Sequence, residues 1–171
     1  PLITKHNRAG KGLGVRKFDN DATLQAYLDS DDFEESPDGI TLLQEYIEAP
    51  TASIFRMEFV NCKFLYAVEV DTSQGFELCP AEVCELESNC PTEEIAKFTI
   101  IKDFSIPNIS DYESFLRQSE IGIAGIEIIY DKNGDYWTYD VNTNTNYNPE
   151  AEHKGNQSAP EEIAKYLSSL A

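Results

Sequence analysis

Residues 125–148 read GIEIIYDKNGDYWTYDVNTNTNYN, and no other stretch constrains the fold as much. Two alternating segments, 125–130 and 136–141, flank Asp131-Lys132-Asn133-Gly134-Asp135. The Asn-Gly pair in that insert is the strongest short-range signal for a hairpin. Glu127 falls on the first strand, Asp140 and then Asn142 on the second. A hairpin brings such groups to one point across the ladder, and alternation keeps Asp140 and Asn142 on one face of their strand. Two carboxylates and an amide oxygen form an all-oxygen set suited to a hard cation such as Mg²⁺, which keeps positions for water and phosphate oxygens. The plain alternative is a solvated hairpin with ordinary surface acids, and the hairpin alone does not separate the two.

The 171-residue chain is long enough to bury a real core. Its net charge of −18 argues against sequence-independent binding to nucleic acid or to an anionic membrane, since both need clustered Lys and Arg. No apolar run is long enough to span a bilayer, and the N-terminus lacks the layout of a signal peptide. A cytoplasmic location is therefore expected. The chain opens on Pro1-Leu2-Ile3-Thr4-Lys5, a strand already under way, which predicts a piece of a longer protein whose N-terminal part is absent. Whether it forms a homo-oligomer is left open. The cysteines, Cys62, Cys79, Cys84 and Cys90, fit free thiols in a reducing compartment. The last three lack the CxxC pair or neighbouring His of a zinc site.

Strands are predicted over 2–7, 15–18, 41–46, 54–60 and 63–71, followed by the 125–141 hairpin. Asn61-Cys62 turns the fourth strand into the fifth, making a second hairpin. Helices are predicted over 22–28, 92–97, 111–119 and about 160–170. Capping boxes at Ser110/Glu113 and Ser158/Glu161 open the last two. Residues 72–91 read as a surface excursion. The mixture of helices with antiparallel hairpins is an α+β pattern.

Charge is unevenly spread along this order. Lys5, Arg8, Lys11, Arg16 and Lys17 all precede the first acid, Asp19, so a basic end is attached to a strongly acidic body. Arg8-Ala9-Gly10-Lys11-Gly12-Leu13-Gly14 lies between two strands, so it is neither a Walker loop nor a dinucleotide fingerprint. A glycine-rich strand–loop–strand can fold over phosphates with its N–H groups forming an anion nest. A tight hairpin is the competing reading.

Taken in order, the Lys-bearing strand, the Gly-rich loop, Leu42-Leu43-Gln44-Glu45-Tyr46-Ile47, the Arg56 hairpin and the acid…acid-x-Asn hairpin resemble ATP-grasp enzymes. The likeness is strongest to carboxylate–amine ligases of the RimK-like branch, and it covers nearly the whole chain but only part of such an enzyme. It implies an ATP-grasp α+β fold, with a partial lid subdomain over 1–46 and a core subdomain with an antiparallel sheet over 47–171. It further implies ATP as cosubstrate and Mg²⁺, or Mn²⁺, as the metal. Lys5 would reach the nucleotide phosphates, with Gly10, Lys11, Gly12 and Gly14 in the loop that closes over them. Gln44, Glu45 and Ile47 would line the adenine edge, and Glu48 is the nearest candidate for a ribose-binding acid. Arg56 would face the phosphates or an acyl phosphate, while Glu127, Asp140 and Asn142 would hold the metal. Their 13-residue gap followed by acid-x-Asn agrees with the family.

Two departures stand out. Residues 70–73 are Val-Asp-Thr-Ser where many relatives carry a second Arg, and residues 143–149 replace a Ser/Thr-Pro-Gly turn. The Asn-rich replacement makes Asn144, Asn146 and Asn148 candidates for acceptor binding, since amides hydrogen-bond both a carboxylate and an amine; capping turns is their commoner use. The function implied is an ATP-dependent carboxylate–amine (or thiol) ligase working through an acyl phosphate, on small-molecule or peptide substrates. By itself this chain is expected to be inactive. A non-catalytic nucleotide-binding module and a small-molecule kinase on the same scaffold are the alternatives.

Overall fold

The structure is a computed structural model that describes residues 1–8, 14–73 and 97–170. Gly10, Lys11, Gly12, Cys79, Cys84 and Cys90, most of the helix expected over 92–97 and nearly all of the 72–91 excursion lie outside the described residues. The described residues form two compact units, with the division between Glu48 and Ala49.

In the first unit, strands β1 (Leu2–His6), β2 (Arg16–Phe18) and β3 (Thr41–Glu45) form an antiparallel sheet in the order β2-β1-β3. Helix α1 (Asp21–Leu28) is opened by Asn20, whose side chain accepts from Thr23 N while Thr23 Oγ1 reaches back to the Asn20 N–H. This reciprocal cap stabilises a short helix whose own propensity would be marginal. A small aromatic cluster holds the unit: Phe18 and Tyr27 lie 5.3 Å apart, Tyr27 and Phe33 5.6 Å. Gly14 has φ +72°, and a Cβ there would come within 2.5 Å of the His6 ring, so the close crossing over β1 requires glycine.

The second unit is built on a five-stranded antiparallel sheet, β6-β5-β4-β7-β8. Its strands are β4 (Ser53–Val60), β5 (Lys63–Asp71), β6 (Phe98–Ile101), β7 (Ile123–Tyr130) and β8 (Tyr136–Asn142). Both expected hairpins are present. Asn61 and Cys62 take φ of 53° and 56° between paired Val60 and Lys63, as a two-residue hairpin loop with matching twist requires. In the other turn, Asp131 Oδ1 accepts from Asn133 N and Asp135 N, and Gly134 supplies φ +85°.

One face of this sheet is apolar. Met57, Phe59, Ala67, Ala124, Ile126 and Ile128 pack with Ile106 and with Leu116 of α2 (Ile109–Gln118). Leu116 is the one buried residue of that helix. Helix α2 does not start with the expected Ser110/Glu113 box. Asn108 is its N-cap and makes no side-chain cap bond. Its amide oxygen instead accepts from the Tyr136 hydroxyl. Glu113 faces the sheet, where its carboxylate accepts from Lys63 Nζ at 2.7 Å and from Phe64 N at 3.1 Å. These two bonds and the Lys63 charge hold Glu113 below the usual carboxylate range.

Two further elements escaped the sequence. Strand β6 lies where no strand was expected, and helix α3 (Pro149–Gly155) occupies the Asn-rich region assigned to a loop. Asn148 caps α3 by accepting from Ala151 N at 2.8 Å, with Pro149 at the first helical position. Helix α4 (Ala159–Ser168) begins at the expected cap, Ser158 Oγ accepting from Glu161 N, which is one half of the expected box.

Candidate functional site

The face of the five-stranded sheet opposite the apolar core gathers its polar residues in two rows. Across the ladders, Val68 pairs with Arg56, Arg56 with Glu127, and Glu127 with Asp140. The next row runs Tyr66, Glu58, Gly125, Asn142. Strand pairing therefore brings Glu127 and Asp140 directly opposite each other, with Asn142 two residues along the same strand and Arg56 on the strand behind. Neighbouring strands lie about 4.8 Å apart, which is within reach of one hydrated cation. Glu127 is buried, at 6% exposure. Arg56 stands opposite it in the β4–β7 ladder.

The residues fit the metal that the sequence implies. The donors are all oxygens, and two carboxylates plus an amide leave room for water and phosphate ligands. Asn142 Oδ1 accepts from Asn144 N at 2.9 Å, a local turn that fixes its orientation while leaving a second lone pair. Among the described residues, no group of three His, Cys, Asp or Glu side chains is gathered to hold a metal.

A β-bulge interrupts the β7–β8 ladder between Glu127 and Ile128, leaving Tyr139 as the extra residue between Thr138 and Asp140. The Tyr139 hydroxyl is raised well above its ordinary pKa, by burial first and then by the nearby Glu127 carboxylate. It stays protonated at neutral pH.

Beside the Arg56–Glu127–Asp140 row sits a network that sequence reasoning missed. Glu58 is completely buried. Arg56 Nε–H donates to Glu58 Oε1 at 2.6 Å, and Thr145 Oγ1 lies 3.2 and 3.0 Å from the two carboxylate oxygens. Arg56 Nη2–H donates to the Asn146 carbonyl at 2.8 Å. Next in the row, the Tyr66 hydroxyl donates to Glu152 Oε1 of α3 at 2.7 Å, and that oxygen also accepts from Ala159 N at 2.6 Å. Burial and the Glu58 and Glu152 charges push Tyr147 up to about 12. The available signal was Glu58 alternating with Met57 and Phe59, which reads as a solvent face unless both faces of the sheet are covered.

Of the candidate acceptor residues, Asn148 uses its side-chain oxygen as a helix cap, Asn146 offers its carbonyl to Arg56, and Asn144 donates its N–H to Asn142.

In the first unit, Ile3 pairs with Lys17 and Gln44, and Lys5 pairs with Leu42. Lys5 and Gln44 thus share one face of the three-stranded sheet, together with Lys17, whose ammonium lies 3.7 Å from the Tyr46 ring centroid. Glu45 pairs with Leu2 and belongs to the opposite face, so it could meet a ligand on the Lys5 face only through its backbone. Ile47 and Glu48 follow the strand, and Glu48 is exposed.

No protein-family model matches the chain. No curated protein matches it either. Solved structures do, and they define its fold as ATP-grasp. D-cycloserine synthetase DcsG aligns with TM-score 0.66 at 11% identity, over 99% of this chain and 55% of its own. ATP-grasp ligase PsnB, solved with a minimal precursor, Mg and ADP, aligns with TM-score 0.61 at 13% identity, over 99% and 47%. D-alanine–D-alanine ligase from Bacillus anthracis gives 0.61 at 14%, over 99% and 55%. The chain spans about half the length of these structures.

Proposed function

We propose that this chain is the nucleotide- and metal-binding portion of an ATP-dependent carboxylate–amine (or thiol) ligase of the RimK-like kind. The observation that carries the reading is the row Arg56–Glu127–Asp140, three charged residues placed side by side on adjacent strands of one sheet face.

In this reading a substrate carboxylate oxygen attacks the γ-phosphorus of ATP, the bond to the β–γ bridging oxygen breaks, and ADP leaves. An amine nitrogen then attacks the acyl carbon of the resulting acyl phosphate, loses a proton, and expels phosphate. Such phosphoryl transfer asks little covalent chemistry of the protein; positioning and charge stabilisation do most of the work. Glu127, Asp140 and Asn142 would hold Mg²⁺, which when bound neutralises charge on the phosphate oxygens. Arg56 supplies a fixed positive charge at the transferring group. Lys5 is assigned to the phosphates and Gln44 to the base, with the 10–14 loop, Glu45, Ile47 and Glu48 as further nucleotide contacts. Asn144 and Asn146 are assigned to the acceptor, a small-molecule or peptide carboxylate or its amine partner.

Hydroxylamine is the test. Added to the whole ligase with Mg·ATP and a panel of carboxylates, it should capture the acyl phosphate as a hydroxamate. A stable phosphorylated product would mark a kinase, and nucleotide binding with no carboxylate-dependent ADP release a regulatory module.

A further inference from the structure

One buried carboxylate on the site face has no part in the chemistry just described. Glu58 has 0% exposure and is flanked in sequence by the core residues Met57 and Phe59. A buried ion pair seldom stabilises a fold beyond what apolar residues of the same volume would give, so its presence calls for another reason. Its geometry supplies one. The Arg56 guanidinium is held at two of its nitrogens, Nε by Glu58 at 2.6 Å and Nη2 by the Asn146 carbonyl at 2.8 Å. Two bonds on one planar group fix its orientation as well as its position. The same Glu58 carboxylate takes the Thr145 hydroxyl, so the 143–148 loop and the arginine share one anchor. Gly125 makes this possible: a Cβ there would come within 2.8 Å of Thr145 Oγ1 and 3.2 Å of both Arg56 Cδ and Glu58 Oε2.

We propose that Glu58 is the positioning residue of the site, setting the angle at which Arg56 presents its charge beside Glu127 and tying the loop after Asn142 to that setting through Thr145. The inference rests on the ligase reading, in which Arg56 acts on the terminal phosphate.

Glu58→Ala removes the anchor, while Glu58→Gln keeps an oxygen for Arg56 Nε and an amide for Thr145. Calorimetry should show Glu58→Ala weakening binding of a non-hydrolysable Mg·ATP analogue about tenfold, a size typical when an orienting partner is lost. Mg·ADP should weaken less than about threefold, and Glu58→Gln should restore the analogue to within about threefold of the parent. Equal losses for both nucleotides, or a Gln variant as impaired as the Ala variant, would overturn the proposal. If Glu58→Ala does not fold, Thr145→Val keeps the ion pair and cuts only the loop; the analogue should again lose more than Mg·ADP, and equal losses count against the proposal. Nuclear magnetic resonance separates this inference from the ligase reading, because the Arg56 Nε–H signal needs no nucleotide. It should be protected from solvent exchange in the parent and in Glu58→Gln, and unprotected in Glu58→Ala. If the parent binds no nucleotide, the ligase reading fails, and an unprotected Nε–H in the parent or a protected one in Glu58→Ala overturns the positioning role.

Discussion

Glu127 and Asp140 are direct partners across the β7–β8 ladder, one on each strand of the Asn-Gly hairpin. Their side chains share a face on which Arg56 is the next residue along the row. If this pair holds Mg²⁺, Asp140→Asn should weaken Mg·ATP binding by at least about tenfold, about 1.4 kcal/mol. The melting temperature should hardly change, because Asp140 lies on an edge strand away from the apolar core. Unchanged affinity in a titration of the full-length protein and its variant would remove the metal assignment.

Helix α2 meets the sheet through Leu116, with Ile109 and Tyr112 partly buried against the same core and Glu113 bonded to Lys63 and the Phe64 N–H. Leu116 is fully buried, whereas its neighbour Phe115 is 46% exposed. Leu116→Ala should destabilise the chain by about 2–5 kcal/mol through lost burial and the cavity it leaves. Phe115→Ala should cost less than about 1 kcal/mol. Denaturant titrations of the two variants provide the comparison, and similar midpoints would mean that α2 packs differently.

Two asparagines of the 143–148 loop should give opposite phenotypes. Asn148→Ala removes the N-cap of α3 and should cost about 0.5–2 kcal/mol of stability. In the whole ligase, Asn146→Ala should instead raise KM for the acceptor while leaving KM for ATP nearly unchanged. Equal effects on both substrates, or on neither, would return Asn146 to a structural role.

Glu58 should leave a mark on the pH dependence of stability. Burial raises its carboxyl above the ordinary value of 4.5, against the opposing pull of Arg56 and the Thr145 hydroxyl, and the Glu152 charge adds to the rise. Tyr66 and Tyr147 also face this network but are pushed upward and stay neutral near pH 7. A folded-state pKa above the unfolded one means that the folded chain holds the proton more tightly. The stabilisation is complete below the unfolded value and is lost as pH rises through the folded one. As pH rises above 4.5 and through the folded-state value, the parent should therefore lose stability relative to Glu58→Gln. Parallel melting curves across that range would contradict the assigned shift.

Much of this architecture was readable from residues because its signals are local. Alternation located β4, β5, β7 and β8, and Asn-Gly with Asn-Cys located the two hairpins. Pairing across the first hairpin then placed Glu127 opposite Asp140. Strand β6 was lost because four partly exposed residues, Phe98–Ile101, carry too little pattern to separate from their surroundings. Helix α3 was lost because seven residues are less than two full turns, too few for a period to appear. Its Asn148-Pro149 start was present, but the run of asparagines was read as a loop. The Ser110/Glu113 box failed for a tertiary reason: Lys63 and the Phe64 N–H offer Glu113 a better-compensated place than the end of its own helix. Glu58 could not be found by any local rule, since its burial depends on elements distant in sequence that cover the second face of the sheet.

The bulge at Tyr139 changes how the distance between the two acids should be measured in other chains. Tyr130 pairs with Tyr136 and Ile128 with Thr138, so an unbroken ladder would set residue 139 opposite Glu127. The chain inserts one residue there, and its second acid arrives one position later than the turn dictates. Twelve or thirteen intervening steps would thus build the same carboxylate pair, the shorter version lacking only the tyrosine. A search for distant kin by fixed spacing would discard every sequence that forms this site with the other count.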